Sequence, residues 1–475
     1  MQKRPVMVLG CSSDAGKSFL VTALCRWFAR HDERVAPFKA QNMSNNAAVC
    51  RDGAEIGRAQ YLQAVAARVA PESRMNPVLL KPESDTRSQV VVLGRYDAAL
   101  TSTPWLERRA QLWPVIAGAL DSLLGDFDRV VMEGAGSPAE PNLMPYDLVN
   151  FAVARHARAA CYLVADIDRG GAFAHLLGTW QVIDPNDRAL VRGFVLNKFR
   201  GDPALLLDAK QWLQERTGIP VVALVPHRRH LLPEEDAFFH RPRRTAGNLR
   251  LALVMYPYAS NLDEFDPLIH EDGVDVVPIE GPGGLDRADA ILLPGSKNTG
   301  ASLQHLRRSG LAERIASLAR AGVPVLGVCG GLQLLGRTIR DPLRIEGEDS
   351  VGLGLLDIDT TLAEQKTSRQ TQVRSTDCGL VDGYEIRFGQ TIAEEHVERH
   401  LADGLGFRQA NVSGVYVHGL FENTSYRVWF LRSLGWRGET SEWSARLESE
   451  LDRVADLIDE SGWARDLGAI DVTLK

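Results

Sequence analysis

The sequence predicts an α/β chain of two domains, each built on a mostly parallel sheet. Three observations carry this. At 475 residues the chain exceeds one ordinary core, since domains average about 150 residues. Short apolar runs recur before glycine or polar turns, each followed by helix-like periodicity: VMVLG at Val6, RVVMEGAG at Arg129, ACYLVADIDRGG at Ala160 and GFVLNKFRG at Gly193. Strands alternating with helices give a parallel sheet covered on both faces. The rhythm then breaks in the proline- and charge-rich stretch that starts at Pro226. It restarts with LRLALVMYPY at Leu249, VDVVPIEG at Val274, ADAILLPGSKNTG at Ala288 and VLGVCGGLQLLG at Val325.

The expected organisation is a first domain over 1–230, a linker over 231–248, a second domain over 249–440 and a helical extension over 441–475. The tail SEWSARLESELDRVADLIDESG has apolar residues at helical spacing and reads as one helix packed on the second domain. The polar stretch from Gly336 to about Glu385 holds possible short strands that the pattern does not place.

Composition sets limits. With 45% hydrophobic and 24% charged residues the chain has the ordinary globular mixture. A formal charge of −7 and a pI near 5.9 argue against a general nucleic-acid binder, which needs a basic face. Six cysteines without a CxxC pair suggest neither a zinc site nor a disulfide framework. No apolar run reaches the ~18 residues of a membrane span, and the start is too weakly apolar for a signal peptide. A cytoplasmic protein with no membrane partner is expected.

The first chemical constellation follows VMVLG. GCSSDAGKS, Gly10 to Ser18, is a glycine-rich turn opening onto a helical pattern. Gly10, Asp14 and Gly16 shape a backbone cradle for phosphate, Lys17 adds a point charge and Ser18 can ligate magnesium. Five residues separate Gly10 from Gly16, where the common pattern has about four. The alternative is a chance glycine turn with a surface lysine. Glu133 ends a later strand where parallel-sheet ligands bind, and reads as a magnesium-side acid or a loop carboxylate. Asp166 and Asp168 end another strand, and one can be structural. Asn197 can read a base edge or form a turn. In PFKAQNMSNNAAV, Lys39, Gln41, Asn42, Asn45 and Asn46 suit a polyfunctional polar ligand, or else a solvated loop.

The second constellation lies in the second domain. Gly327-Val328-Cys329-Gly330-Gly331 has the layout of a nucleophile elbow, in which glycines permit a sharp turn and the N–H after the nucleophile serves an oxyanion hole. The alternative is a cysteine packed as a small hydrophobe. His418 follows an apolar run and is the base available to Cys329. Gly295, in LPGSKNTG, can supply the second oxyanion donor beside Gly330. The set describes acyl transfer through a thioester.

These motifs carry a resemblance. The second half resembles a class I glutamine amidotransferase domain of flavodoxin-like α/β fold, and the first resembles the P-loop, dethiobiotin synthetase-like ATP-binding fold. With QNMSNNAAV, EIGRAQ, MNPVLLKPESD, EGAGSPAEPNL, ADIDRGGAFA, LPGSKNT, GYEIRFG and YVHGLF in this order, the chain is similar throughout to the cobyric acid synthase family. The resemblance implies ATP and Mg2+ as cofactors, glutamine as nitrogen donor and a corrinoid substrate, adenosylcobyrinic acid a,c-diamide, amidated at its b, d, e and g carboxylates. It places Asp147 on a synthetase-site carboxylate and Cys329 with His418 on the glutaminase pair. The related a,c-diamide synthases share both domains but carry an acidic GPD-type stretch where this chain has KAQNMSNN. A glutamine-dependent ligase for another polycarboxylate, or an ATP-driven switch with a glutaminase-like binding module, are the further alternatives. Three departures stand out. Leu420 occupies the place of the acid that orients the histidine in many class I glutaminases, Arg387 stands where histidine is commoner, and Cys11 replaces a small hydroxyl residue.

Overall fold

The computed structural model describes residues 3–84, 87–233 and 249–471. The expected linker lies, from residue 234 on, outside the described residues. The first sheet uses β1 (Val6–Gly10), β2 (Val35–Phe38), β3 (Arg129–Glu133), β4 (Ala160–Asp166), β5 (Val191–Phe199) and β6 (Val221–Pro226). All neighbours pair parallel, in the order β6-β5-β4-β1-β3-β2. β1 shows why its residues are uniformly apolar: Met7 and Leu9 enter the core on one face, and Val6 and Val8 enter another core on the opposite face. Helix α1 (Lys17–Arg30) follows β1 directly and covers the second face.

The second sheet has a parallel centre of β7 (Leu249–Val254), β8 (Val274–Ile279), β9 (Ala290–Leu293) and β10 (Val325–Val328), followed by the short helix α2 (Gly330–Leu335). The polar region that the sequence pattern did not place forms a long hairpin of β11 (Ile358–Ser375) and β12 (Gly379–Ala393). β13 (Val412–Val415) closes the parallel run β8-β7-β9-β10-β13, and antiparallel strands extend the sheet as far as the hairpin. The hairpin reaches the first domain: Gln370 Nε2 donates to Val49 O at 3.1 Å, the Lys366 ammonium pairs with Glu55, and Tyr96 meets Phe388 edge to face.

The tail departs from expectation. It forms two helices, α3 (Trp443–Glu460) and α4 (Trp463–Ala469), and both pack on the first domain rather than the second. Leu451, Val454, Leu457, Ile458 and Trp463 share a core with Leu20, Leu24 and Val8. The physical reason lies on α1, whose outer face is apolar and carries Arg26 and Arg30. Asp452 and Glu448 meet Arg26 at 2.8 and 2.7 Å, and Asp456 meets Arg30 at 2.7 Å. Among the described residues, the start of the extension is the part that touches the second domain, where Arg446 Nη1 donates to His270 O at 3.0 Å.

Candidate active site

The phosphate-type loop is built as a close-packed turn. Gly16 has φ 92°, and a Cβ there would collide with Asn197 Nδ2, so only glycine fits. The Asn197 amide donates to Ala15 O at 2.9 Å and so braces the loop, although the residue also lines the cleft. Lys17 Nζ bonds Ser12 O at 3.3 Å and Gly136 O at 3.2 Å, spanning the loop and the turn after β3. Gly10 adjoins it, a Cβ there falling 2.8 Å from Lys17 Nζ. Asp14 sits at φ 55° with Oδ2 3.1 Å from Arg169, and its carbonyl accepts from Lys198 at 3.0 Å.

Glu133, at the end of β3, is 1% exposed and its partners account for that burial. Ser18 Oγ donates to it at 2.8 Å, Lys39 Nζ lies 2.7 Å away, and Gln63 Nε2 donates at 2.7 Å. Lys39, expected on a separate ligand surface, is thus the charge partner of Glu133. Both carboxylate oxygens of Asp147 accept backbone N–H groups, Oδ1 from Val149 and Asn150 at 3.0 and 2.9 Å and Oδ2 from Ala152 at 2.8 Å. That is a helix-capping pattern on a residue of the cleft wall. Asp166 binds Lys198 at 2.9 Å and Asp168 faces Arg200 at 3.2 Å.

All of these residues line one cleft of about 1610 Å³, apart from Ala15, Gly10, Gln63 and Ala152 behind its wall. Pockets for ordinary small ligands run from about 300 to 1,000 Å³, so this one has room for a nucleotide and a second, larger molecule. Its wall also holds Trp105, Leu106, Leu143 and Tyr146, which are 39–54% exposed, an apolar patch that a soluble surface seldom leaves open. Gln41 and Asn42 face the same cleft, Asn42 Nδ2 donating to Gln60 Oε1 at 3.1 Å. The amide-rich segment is therefore no plain loop, since Gln41–Met43 pairs parallel with Val78–Leu80. Asn45 turns the other way, into the cavity beside Cys329.

At the second site Cys329 has φ 50° and ψ −103°, a strained conformation imposed by its surroundings. Its N–H donates to Val415 O at 2.7 Å. A Cβ on Gly331 would collide with Leu293 O, and one on Gly330 would fall 2.5 Å from Ser296 N. The glycines thus let the turn press against the segment Leu293–Ser296, which brings Gly295 beside Gly330. Gly295 is also near the base, its Cβ position lying 3.5 Å from His418 Cε1.

His418 is 2% exposed, stacks on Tyr384 at 5.3 Å and lines one cavity with Cys329, whose Sγ lies 3.5 Å from Ile386 O. Its Nδ1 lies 3.3 Å from each oxygen of Glu264. Burial opposes a charge on the ring, but Glu264 and Cys329 outweigh it and hold the imidazolium up to about 10. Burial pushes the Glu264 carboxyl above its usual range, against the pull of His418. Glu264 thus occupies the role left open by Leu420. Arg387, the departure in GYEIRFG, lines the cavity, with Nε donating to Glu385 at 2.8 Å and its guanidinium 4.3 Å from the Tyr416 ring.

Comparison with known proteins decides the family. The chain is 53% identical to a cobyric acid synthase of Deinococcus radiodurans over 90% of this chain and 92% of that one. It is 52% identical to the cobyric acid synthase of Variovorax paradoxus over 90% and 92%, and 51% identical to that of an Acidovorax species over 89% and 90%. The chain belongs to the cobyric acid synthase family. Residues 6–237 match the model of the CobQ/CobB/MinD/ParA nucleotide binding domain, and residues 250–426 match the CobB/CobQ-like glutamine amidotransferase domain. As a member of this family it is a two-domain α/β glutamine-dependent amide ligase. No described helix is long and apolar enough to cross a membrane.

Sequence reasoning missed Glu264, Gln63, Asn261 and Arg58. Glu264 sits in the acid-dense turn NLDEFDP, a signal of unusual polarity with nothing to tie it to a histidine 154 residues later.

Proposed function

We propose that the chain is a cobyric acid synthase that amidates the b, d, e and g carboxylates of adenosylcobyrinic acid a,c-diamide with nitrogen from glutamine. The observation that carries the substrate is the cleft. It joins a phosphate-type loop to an exposed apolar wall and the amide-rich segment, which suits a nucleotide beside a large, amphipathic polycarboxylate.

Cys329 attacks the glutamine amide carbon while Gly295 and Gly330 N–H groups receive the developing oxyanion. His418, oriented by Glu264, passes a proton to the departing nitrogen, and water then releases glutamate. In the first domain a substrate carboxylate oxygen attacks the γ-phosphorus of ATP and ADP leaves. Ammonia then adds to the acyl carbon, phosphate departs and a proton is lost, leaving the amide. Lys17 and the loop amides hold the phosphates, while Asn197 keeps the loop in shape. Gln41 and Asn42 are the polar contacts on the corrinoid side, Asn45 facing the Cys329 cavity instead, with Asp147 holding the wall in place. The Ser18 hydroxyl and Glu133 carboxylate are the hard-oxygen donors that would hold Mg2+, at the carboxylate oxygen where the Lys39 ammonium now lies 2.7 Å away. A bound Mg2+ would neutralise phosphate charge there.

Mass spectrometry of products from the purified chain with ATP, Mg2+, glutamine and the a,c-diamide tests this reading. Successive acid-to-amide conversions are expected. An unchanged a,c-diamide together with amidation of cobyrinic acid itself would make the chain an a,c-diamide synthase instead.

A further inference from the structure

The amide-rich segment lies between the two sites, and one asparagine of the second domain ties it to the catalytic histidine. Asn261 is 4% exposed and has φ 54°, ψ 41°, a left-handed conformation that asparagine tolerates. Its backbone N–H donates to Asn46 Oδ1 at 2.7 Å, and its Oδ1 accepts the Ala47 N–H at 2.9 Å. The second bond fixes the amide, leaving Nδ2 facing His418 Nδ1 at 3.4 Å. Asn46 itself lines the large cleft, while Asn45 lines the cavity of Cys329.

At His418 Nδ1 two neighbours make opposite demands. Glu264 requires a proton there, whereas an amide N–H of Asn261 requires a lone pair. With the ring held as the imidazolium, Nδ1 carries a proton and the Asn261 amide faces it donor to donor, opposing the charge that Glu264 draws onto that nitrogen. The contacts to Glu264, at 3.3 Å, are longer than the ~2.7–2.9 Å of a charge-assisted hydrogen bond. The cavity beside Cys329 is only about 50 Å³, too small for a ligand of glutamine's size. Both features describe a site held short of its working geometry.

Building on the functional reading above, we propose that Asn261 is a positioning residue through which the first domain restrains the glutaminase. While Asn46 and Ala47 hold it, its amide opposes the His418–Glu264 pair. When ligands fill the large cleft and draw the segment back, the amide withdraws, the pair closes and glutamine hydrolysis accelerates. Ammonia is then released only beside a loaded synthetase site.

The test uses the full chain and measures glutamate release with and without ATP, Mg2+ and the a,c-diamide together. Asn261→Gly keeps the left-handed backbone free of strain. It should raise the resting rate about fivefold, the factor that one net hydrogen bond represents, and lower the loaded-to-resting ratio by the same factor. Asn46→Ala, which leaves Asn261 in place, should shift both quantities in the same direction. Nitrogen-15 histidine spectra, with His418→Gln for assignment, should show the doubly protonated His418 ring persisting to higher pH in Asn261→Gly than in the resting wild-type chain. A purely structural role lowers both rates and leaves their ratio alone, and that result in both variants overturns the inference. A wild-type chain that releases no glutamate in either condition fails the functional reading first.

Discussion

Glu264→Gln keeps the shape of the side chain facing His418 and removes its charge. Two unit charges 3.3 Å apart interact by about 5 kcal/mol at an effective dielectric of ~20. Desolvation of the buried pair offsets roughly half of this, and the ~2.5 kcal/mol left corresponds to about a 70-fold loss of kcat/KM for glutamine at neutral pH. The pH profile fixes the sign. His418 is held protonated up to about 10, so its ion pair with Glu264 survives well above neutrality in the wild-type chain. In the Glu264→Gln variant the imidazolium is lost at lower pH, and the alkaline limb must move down. The other groups around the ring are the Tyr384 face, the Asn261 amide and, behind Glu264, Asp263 paired with Arg58. None of them supplies the missing negative charge at Nδ1. The assay is glutamate release between pH 6 and 10, with ammonium-dependent amide synthesis as a control that should not change. An alkaline limb at its wild-type position, with kcat/KM intact, would refute the orienting role of Glu264.

The remaining predictions separate the two sites and the tail. Cys329→Ala should abolish glutamine-dependent synthesis and leave synthesis with added ammonium, as followed by product mass; failure of ammonium to rescue would give the cysteine a further role. Lys17→Ala should stop synthesis with either nitrogen source, and retained activity would remove the phosphate-loop assignment. Leu457, 1% exposed beneath the first domain, should cost about 2–5 kcal/mol when changed to alanine, read as a lower urea midpoint of the first domain. An unchanged midpoint would mean that the tail does not stabilise that domain.

What the sequence made legible follows from locality. The turn around Cys329 is written in adjacent glycines because neighbouring backbone comes too close for any Cβ, and the loop before Lys17 is written in the same way. Ser18 and Glu133 could be read because each ends or follows a strand of a simple alternating pattern. The hairpin β11–β12 could not, because its polar strands mix exposed and half-buried positions without clean alternation. The tail was recognised as helical, yet an amphipathic stripe does not say which domain it covers. Charge could have decided, since the acids at Glu448, Asp452 and Asp456 match the arginines of α1. Glu264 and Asn261 were beyond reach because their meaning exists only once sheets of distant segments meet.

Across that meeting surface the chain sets buried charge beside apolar contacts such as Tyr96 with Phe388 and Ile386 with Ala47, Leu79 and Val91. Arg58 of the first domain pairs with Asp263 and Glu422 of the second, and Lys366 of the hairpin joins Lys81 in flanking Glu55. Desolvation offsets most of the attraction in such pairs, so their contribution is geometric: each fixes one register between the domains. Arg58 and Asp263 matter most, since Asp263 lies between Asn261 and Glu264 in the turn that holds His418. Replacing both by apolar side chains, Arg58→Met with Asp263→Leu, should therefore leave the urea midpoint near that of wild type while lowering the amide formed per glutamine hydrolysed. Arg58→Met alone should be the less stable protein, because it strands a buried carboxylate. If the double variant keeps full nitrogen transfer, the register does not depend on this pair, and the hairpin contacts through Gln370 and Lys366, with the bonds of Asn261 to Asn46 and Ala47, hold the two sites together.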